Sequence, residues 1–292
     1  LHTHLRVGGS MVLNNKFIFI NTVIKDLQEY RCTGFAGVPS HFQILLRKSE
    51  QFKETRFPAL RYVTQAGGKL AEPFIREFVG SFPEVNFFVM YGQTEATARL
   101  SYLPPEQVLQ KIGSIGKGIP GVTLEVLTRQ GKPVEAGESG EIVASGDNIM
   151  AGYLNDPQLT SETIVDGKLR TGDIATMDED GYIYVVGRDK EFIKVGGERV
   201  SPKEIERVIV GLPEVIDCSV IGIDDELLGE AIRAIVVPRE FDHTAELKKK
   251  ILDSCTETLG LQKTPKRVDF IKKIPMALTG KKTKAALEKI DR

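Results

Sequence analysis

The sequence predicts an α/β region followed by a smaller α+β region, and three changes of texture along its 292 residues carry that expectation. Residues 11–103 alternate short apolar strands with amphipathic helices, the pattern of repeated βα units. Residues 112–186 carry β-branched runs cut by dense Gly, Pro and Asp turns, which argues for a β-rich subdomain. Beyond Lys190 a helix start at Ser201-Pro202 leads into strands, a long helix and a further strand. The expected organisation is a larger part over 1–187, split into a βα section (1–111) and a β-rich section (112–187), a boundary at 188–190, and a small domain over 191–292.

Each element has its own reason. Val23, Ile24 and Leu27 recur at helical spacing within 22–30, and residues 33–38 form a short strand. Residues 39–48 open on Pro39-Ser40 and run helically, with Ser40 expected as the cap. Tyr62-Val63-Thr64 reads as a strand, 71–78 as a helix, and 85–90 (VNFFVM) as a buried strand. Two turns follow these strands, Gly67-Gly68-Lys69 and Tyr91-Gly92-Gln93-Thr94-Glu95, where open α/β sheets bind ligands. Gly116-x-Gly118-x-x-Gly121 matches a dinucleotide fingerprint in form only, since Pro120 interrupts it and the strand-like Val122-Thr123-Leu124-Glu125-Val126 follows. Thr171-Gly172-Asp173 reads as a sharp turn presenting a carboxylate, and residues 181–186 as the strand that delivers Gly187-Arg188-Asp189-Lys190. Phe192 to Val195 alternates briefly and ends on Gly196-Gly197, where backbone can approach a ligand. Ser201, Pro202 and Glu204 compose a helix start with Ser201 as cap, followed by strands at 218–223, 231–237 and 267–271 and helices at 245–259 and 282–290.

Composition excludes several classes. A chain 41% hydrophobic and 27% charged is globular in character, not disordered. No apolar run reaches the ~18 residues of a transmembrane helix, and the start lacks the apolar core of a signal peptide. Cys32, Cys218 and Cys255 lie far apart, so neither a disulfide framework nor a zinc site is expected, and a reducing, cytoplasmic setting follows. His2-x-His4 has no further ligands nearby. From Glu246 onward thirteen Lys/Arg face six Asp/Glu. Acids interleave with these bases, so a solvated face is expected and nucleic acid is not, although a phosphate-rich ligand or an acidic carrier protein suits the same field.

Asp173 presents a carboxylate that can accept both hydroxyls of a ribose. The sequence G-x-x-x-x-G-K-[ST] fails at Lys281, because Pro275 and Lys282 stand at its first and last positions. What the chain does contain, in order, is Leu5-x-x-Gly8-Gly9, Tyr91-Gly92-Gln93-Thr94-Glu95, Thr171-Gly172-Asp173, Gly187-Arg188 and Pro275-x-x-Leu278-Thr279-Gly280-Lys281. In this combination it resembles the adenylate-forming superfamily of acyl-CoA synthetases, luciferases and peptide-synthetase adenylation domains. The resemblance covers nearly the whole chain.

That resemblance implies an incomplete large N-terminal domain, with the upstream phosphate loop absent, followed by a small mobile C-terminal domain. It implies ATP, Mg²⁺ and coenzyme A as cofactors and a carboxylic acid as substrate. Gly67, Gly68, Lys69, Tyr91, Gly92 and Gln93 then surround adenine, Thr94 meets the α-phosphate, Glu95 holds Mg²⁺, and Asp173 and Arg188 hold the ribose. Arg199 falls near the phosphates and Lys281 is the catalytic lysine of adenylation. Lys190 is the hinge, about which the face bearing Lys194, Gly196 and Gly197 replaces that of Lys281 for thioester formation. His41 falls where the family often lines its acyl pocket, and a structural histidine fits the position equally. Two further functions remain open: an adenylation domain that loads a carrier protein, and a non-catalytic nucleotide-binding or interaction fragment.

Overall fold

The computed structural model describes residues 2–14, 17, 19–275 and 287. Three five-stranded sheets succeed one another along the chain. The first holds β1 (Gly34–Gly37), β2 (Tyr62–Gln65), β3 (Asn86–Tyr91), β4 (Ser101–Leu103) and β5 (Lys117–Gly118) in that spatial order. β1 to β3 are parallel, and β4 and β5 continue the sheet antiparallel. Parallel neighbours need crossovers, and helices supply them. α1 (His2–Arg6) and α2 (Ile20–Glu29) precede β1, α3 (Pro39–Lys48) and α4 (Glu50–Glu54) join β1 to β2, and α5 (Glu72–Ser81) joins β2 to β3.

Each long helix turns one apolar stripe inward: Val23, Ile24 and Leu27 on α2, Phe42, Leu45 and Leu46 on α3, Phe74, Ile75 and Phe78 on α5. Phe42 meets Phe78 edge-on at 5.7 Å between ring centroids and lies 5.4 Å from Phe87 of β3. Ser40 does not cap α3: Val38 takes that position and Ser40 is buried in the first turn. Pro39 explains the shift, since a residue without an N–H loses nothing at the first helical position.

The second sheet holds β6 (Val122–Leu127), β7 (Ser139–Gly146), β8 (Ile164–Val165), β9 (Lys168–Met177) and β10 (Ile183–Arg188), with α6 (Pro157–Thr163) before β8. Its order is β10-β9-β7-β6, with β8 on β9. Here Thr171-Gly172-Asp173 is not a turn. It lies inside β9, where these three residues stand opposite the single residue Ile142 of β7. The result is a β-bulge, with Gly172 at φ +71°, a conformation that a side chain would strain.

The third sheet holds β11 (Ile193–Val195), β12 (Glu198–Val200), β13 (Val215–Asp225), β14 (Gly229–Pro238) and β15 (Arg267–Phe270), with helices α7 (Pro202–Val210) and α8 (Thr244–Leu259). Its order is β12-β11-β14-β13, and β15 runs parallel to β14. Ser201 occupies the cap position of α7 without capping it. Its Oγ donates to the carbonyl of Val186 at 2.6 Å and so ties the start of α7 to β10. The buried core of the first sheet's helices runs on into that of the third sheet. Cys218 and Cys255 are buried and Cys32 half-buried, none of them in a disulfide. The helix expected at 282–290 lies outside the described residues except for Leu287, which is buried beside Ile216, Ile221 and Ile235. No helix among the described residues is long and apolar enough to cross a membrane.

Candidate functional site

The C-terminal ends of β2 and β3, the bulge of β9, the end of β10 and one face of α7 enclose a cavity of about 370 Å³. That size lies in the range of small-molecule sites. Gly67, Gly68, Lys69, Tyr91, Gly92, Asp173 and Arg188, all expected to bind ligand, line it together. The bulge explains how β9 contributes. Thr171 donates through Oγ1 to the Ile142 carbonyl at 2.7 Å and accepts from the Asp173 N–H at 3.1 Å, which fixes the backbone around Gly172.

Tyr91, Asp173 and Arg188 form one connected cluster. The Tyr91 hydroxyl donates to Asp173 Oδ2 at 2.7 Å, and Arg188 Nε donates to Oδ1 at 3.0 Å. Asp173 is only 5% exposed, whereas the arginine is open to solvent. A buried carboxylate with one donor on each oxygen is compensated, and each oxygen keeps acceptor capacity for a ligand hydroxyl. Burial first, and the facing carboxylate second, push the Tyr91 phenol far above its ordinary value, so it remains a donor. Burial works against the Arg188 charge, but Asp173 outweighs it and raises the guanidinium further.

Gly92 is required by close approach: a β-carbon there would lie 2.4 Å from the Ala98 carbonyl oxygen. The chain therefore folds back tightly after Tyr91, through a 3₁₀ turn at Thr94–Ala96. Gln93, Thr94 and Glu95 do not line the cavity. Thr94 is exposed, and Gln93 Nε2 is buried without a partner. Glu95 accepts from the Tyr153 hydroxyl at 2.8 Å. Asn148 donates through Nδ2 to the carbonyls of Ala96 and Arg99 at 3.0 and 2.9 Å. No residue of the segment from Gly140 to Leu154 is marked by a chemical motif in the sequence. Only its nearness to Glu95 in space, which no spacing encodes, reveals Tyr153 and Asn148 as clamps.

α7 adds Lys203, Glu206, Arg207 and Val210 to the cavity wall, none of them expected from the sequence. Arg207 reaches Glu72 of α5 at 3.1 Å, and Lys69 Nζ donates to the Val185 carbonyl at 2.8 Å. The remaining expected residues lie elsewhere. Lys190 is exposed in a 3₁₀ turn, Asp189–Glu191. Lys194 and Arg199 face each other in register on the β11–β12 hairpin, whose turn is Gly196-Gly197. Arg199 pairs with Asp189 at 2.7 Å and lies 4.7 Å over the Phe192 ring. Lys281 lies outside the described residues. No group of three or more potential metal-ligating side chains occurs among the described residues.

The cavity opens at the ends of parallel strands, walled by a tight glycine turn and an aspartate held by a tyrosine and an arginine, which is where open α/β sheets bind ligands. The family model for AMP-binding enzymes matches residues 1–154, and that for the AMP-binding enzyme C-terminal domain matches residues 204–281. The chain belongs to the AMP-binding enzyme family. It is 34% identical to an oxalate–CoA ligase of Arabidopsis thaliana, over 88% of this chain and 49% of that protein. With a sulfoacetate–CoA ligase of Cupriavidus necator it shares 35% identity, over 94% of this chain and 52% of that protein. The solved structure of the anthranilate–CoA ligase AuaEII with anthranoyl-AMP superposes with a TM-score of 0.88 at 27% identity, covering 96% of this chain and 54% of that one. The chain thus spans about half the length of the curated relatives it matches.

Proposed function

We propose that the protein carrying this chain is an AMP-forming carboxylate–CoA ligase that uses ATP, Mg²⁺ and coenzyme A in the cytoplasm. One observation carries the reading: the Tyr91–Asp173–Arg188 cluster presents a doubly supported carboxylate inside a nucleotide-sized cavity. In this role Asp173 accepts the ribose hydroxyls, Arg188 adds a donor, and Gly67, Gly68, Lys69, Tyr91 and Gly92, which line the cavity, flank adenine. The names of the relatives, ligases of three different acids, support carboxylate activation without choosing the acid.

The reaction divides into two displacements. A carboxylate oxygen attacks the α-phosphorus of ATP, and the bond to pyrophosphate breaks. A thiolate then attacks the acyl carbon of the mixed anhydride, and AMP leaves. In the first step Thr94 donates to the α-phosphate, while Arg199 and Lys281 neutralise charge there. Glu95 suits a cation that arrives on phosphates: one carboxylate oxygen is held by Tyr153, and the other has no hydrogen-bond partner among the described residues. Mg²⁺, when bound, supplies charge neutralisation at those phosphates. In the second step rotation at Lys190 within the hinge 188–190 turns the small domain, 191–292, against the larger part so that Lys194 and Gly196-Gly197 flank the pantetheine arm.

The test is pyrophosphate release by the full-length protein across a panel of carboxylates, with and without coenzyme A, beside Lys281→Ala. Release should depend on the acid, accelerate with coenzyme A and fall roughly 10²- to 10³-fold in the variant. Acceleration by an acyl carrier protein in place of coenzyme A would move the reading to a carrier-loading adenylation domain. No release with any acid would overturn it.

A further inference from the structure

A guanidinium stays charged at any ordinary pH, so a protein that withdraws one from water has to bring an anion to it. Among the described residues four arginines are drawn out of full exposure: Arg47, Arg99, Arg170 and Arg233. Three follow the rule. Arg47 meets Glu77 at 2.5 Å, Arg170 Nε meets Glu141 at 2.9 Å, and Arg233 meets Asp269 at 2.6 Å. Arg99 has no carboxylate within ion-pair distance among the described residues. Its Nε is buried without an acceptor, and one terminal nitrogen meets only the Sδ of Met90, a weak acceptor. Burial draws its pKa below the ordinary arginine value, and no acid offsets that.

The position is fixed and close to the site. Met90 and Gly92 are part of the cavity wall. A β-carbon on Gly92 would lie 2.9 Å from the Arg99 Cα, so Arg99 stands directly behind that wall. Asn148 holds its carbonyl at 2.9 Å. Arg99 also ends the loop that carries Thr94 and Glu95, five and four residues before it.

Building on the ligase reading, we propose that Arg99 is the counter-ion for a second anionic group on the acid substrate. The substrate class is then a dianionic acid: a carboxylate to be activated, with a further carboxylate or sulfonate at the other end. The transferred bonds are those of the proposed reaction, and Arg99 acts on binding and selection alone.

The experiment measures pyrophosphate release by the full-length protein with matched acids, butyrate against succinate and benzoate against isophthalate, for the unaltered protein, Arg99→Leu and Arg99→Lys. The unaltered protein should prefer the dianionic member of at least one pair by about tenfold or more in kcat/KM. Arg99→Leu should collapse that ratio through a rise in KM for the dianion, and Arg99→Lys should recover part of it. Preference for the monoanion in every pair, or equal losses on both members in Arg99→Leu, would overturn the proposal and point to an acidic side chain as the partner of Arg99. Release with monoanions alone sinks only this inference. No release with any acid sinks the ligase reading as well.

Discussion

The cavity cluster and the glycine hairpin differ in how they are held. Tyr91, Asp173 and Arg188 come from three strands in two sheets, yet they meet through bonds of 2.7 and 3.0 Å, with the carboxylate buried. Lys194, Gly196, Gly197 and Arg199 all sit on one exposed hairpin, β12 being the edge strand of its sheet. The first region is assembled by the fold before any ligand arrives. The second depends on where the third sheet stands. On the proposed reaction, a preorganised nucleoside site beside a repositioned thiol site is what two steps through one cavity would require.

Substitutions that sharpen this contrast should differ in size. Asp173→Ala removes a charged acceptor and leaves the Tyr91 hydroxyl without its partner, and should weaken nucleotide binding about ten- to hundredfold by calorimetry. Tyr91→Phe deletes one donor and keeps the ring, and should weaken it roughly threefold to tenfold. If Tyr91→Phe exceeds Asp173→Ala, the carboxylate is not the centre of the cluster. Arg207→Gln breaks an ion pair with Glu72 that is half open to solvent, so stability should change by less than about 1 kcal/mol in urea titration.

The smallest effect lies outside both regions. His41 stacks on Phe17 at 3.7 Å with its Nδ1 buried and unpartnered, and desolvation lowers its pKa. A neutral imidazole favoured by folding contributes stability above the unfolded value, near pH 6.5, that is lost as pH falls through the folded value. His41→Phe should therefore flatten the stability profile between about pH 7 and pH 5. An unchanged slope would remove His41 from the account of acid sensitivity.

Much of the fold was legible because its signals are local. The helix at Pro39–Lys48 follows from its proline start and apolar spacing, and the β14 strand from its unbroken run of buried residues. The two serine readings fall short for different reasons, one at a distance and one in the neighbouring residue. Ser201 holds the cap position of α7 but turns its hydroxyl to the Val186 carbonyl, and Pro39 displaces the start of α3 so that Ser40 falls inside the first turn. Gly172 announced a backbone irregularity correctly, but whether it makes a turn or a bulge is decided by pairing with β7, about thirty residues away in sequence. In the site, the residue types at 67–69, 91–92, 173 and 188 were readable as motifs. Tyr153, Asn148 and the α7 face were not, because they act through contacts between elements.

The most direct test of the contrast is Lys190→Pro in the full-length protein, with adenylate formation and thioester formation measured separately. Lys190 sits in a 3₁₀ turn, and a proline ring there fixes φ and so blocks rotation at that residue. Adenylate formation should stay within about threefold of the unaltered protein and thioester formation should fall by about tenfold or more. Equal loss of both steps, or loss of neither, would contradict the account.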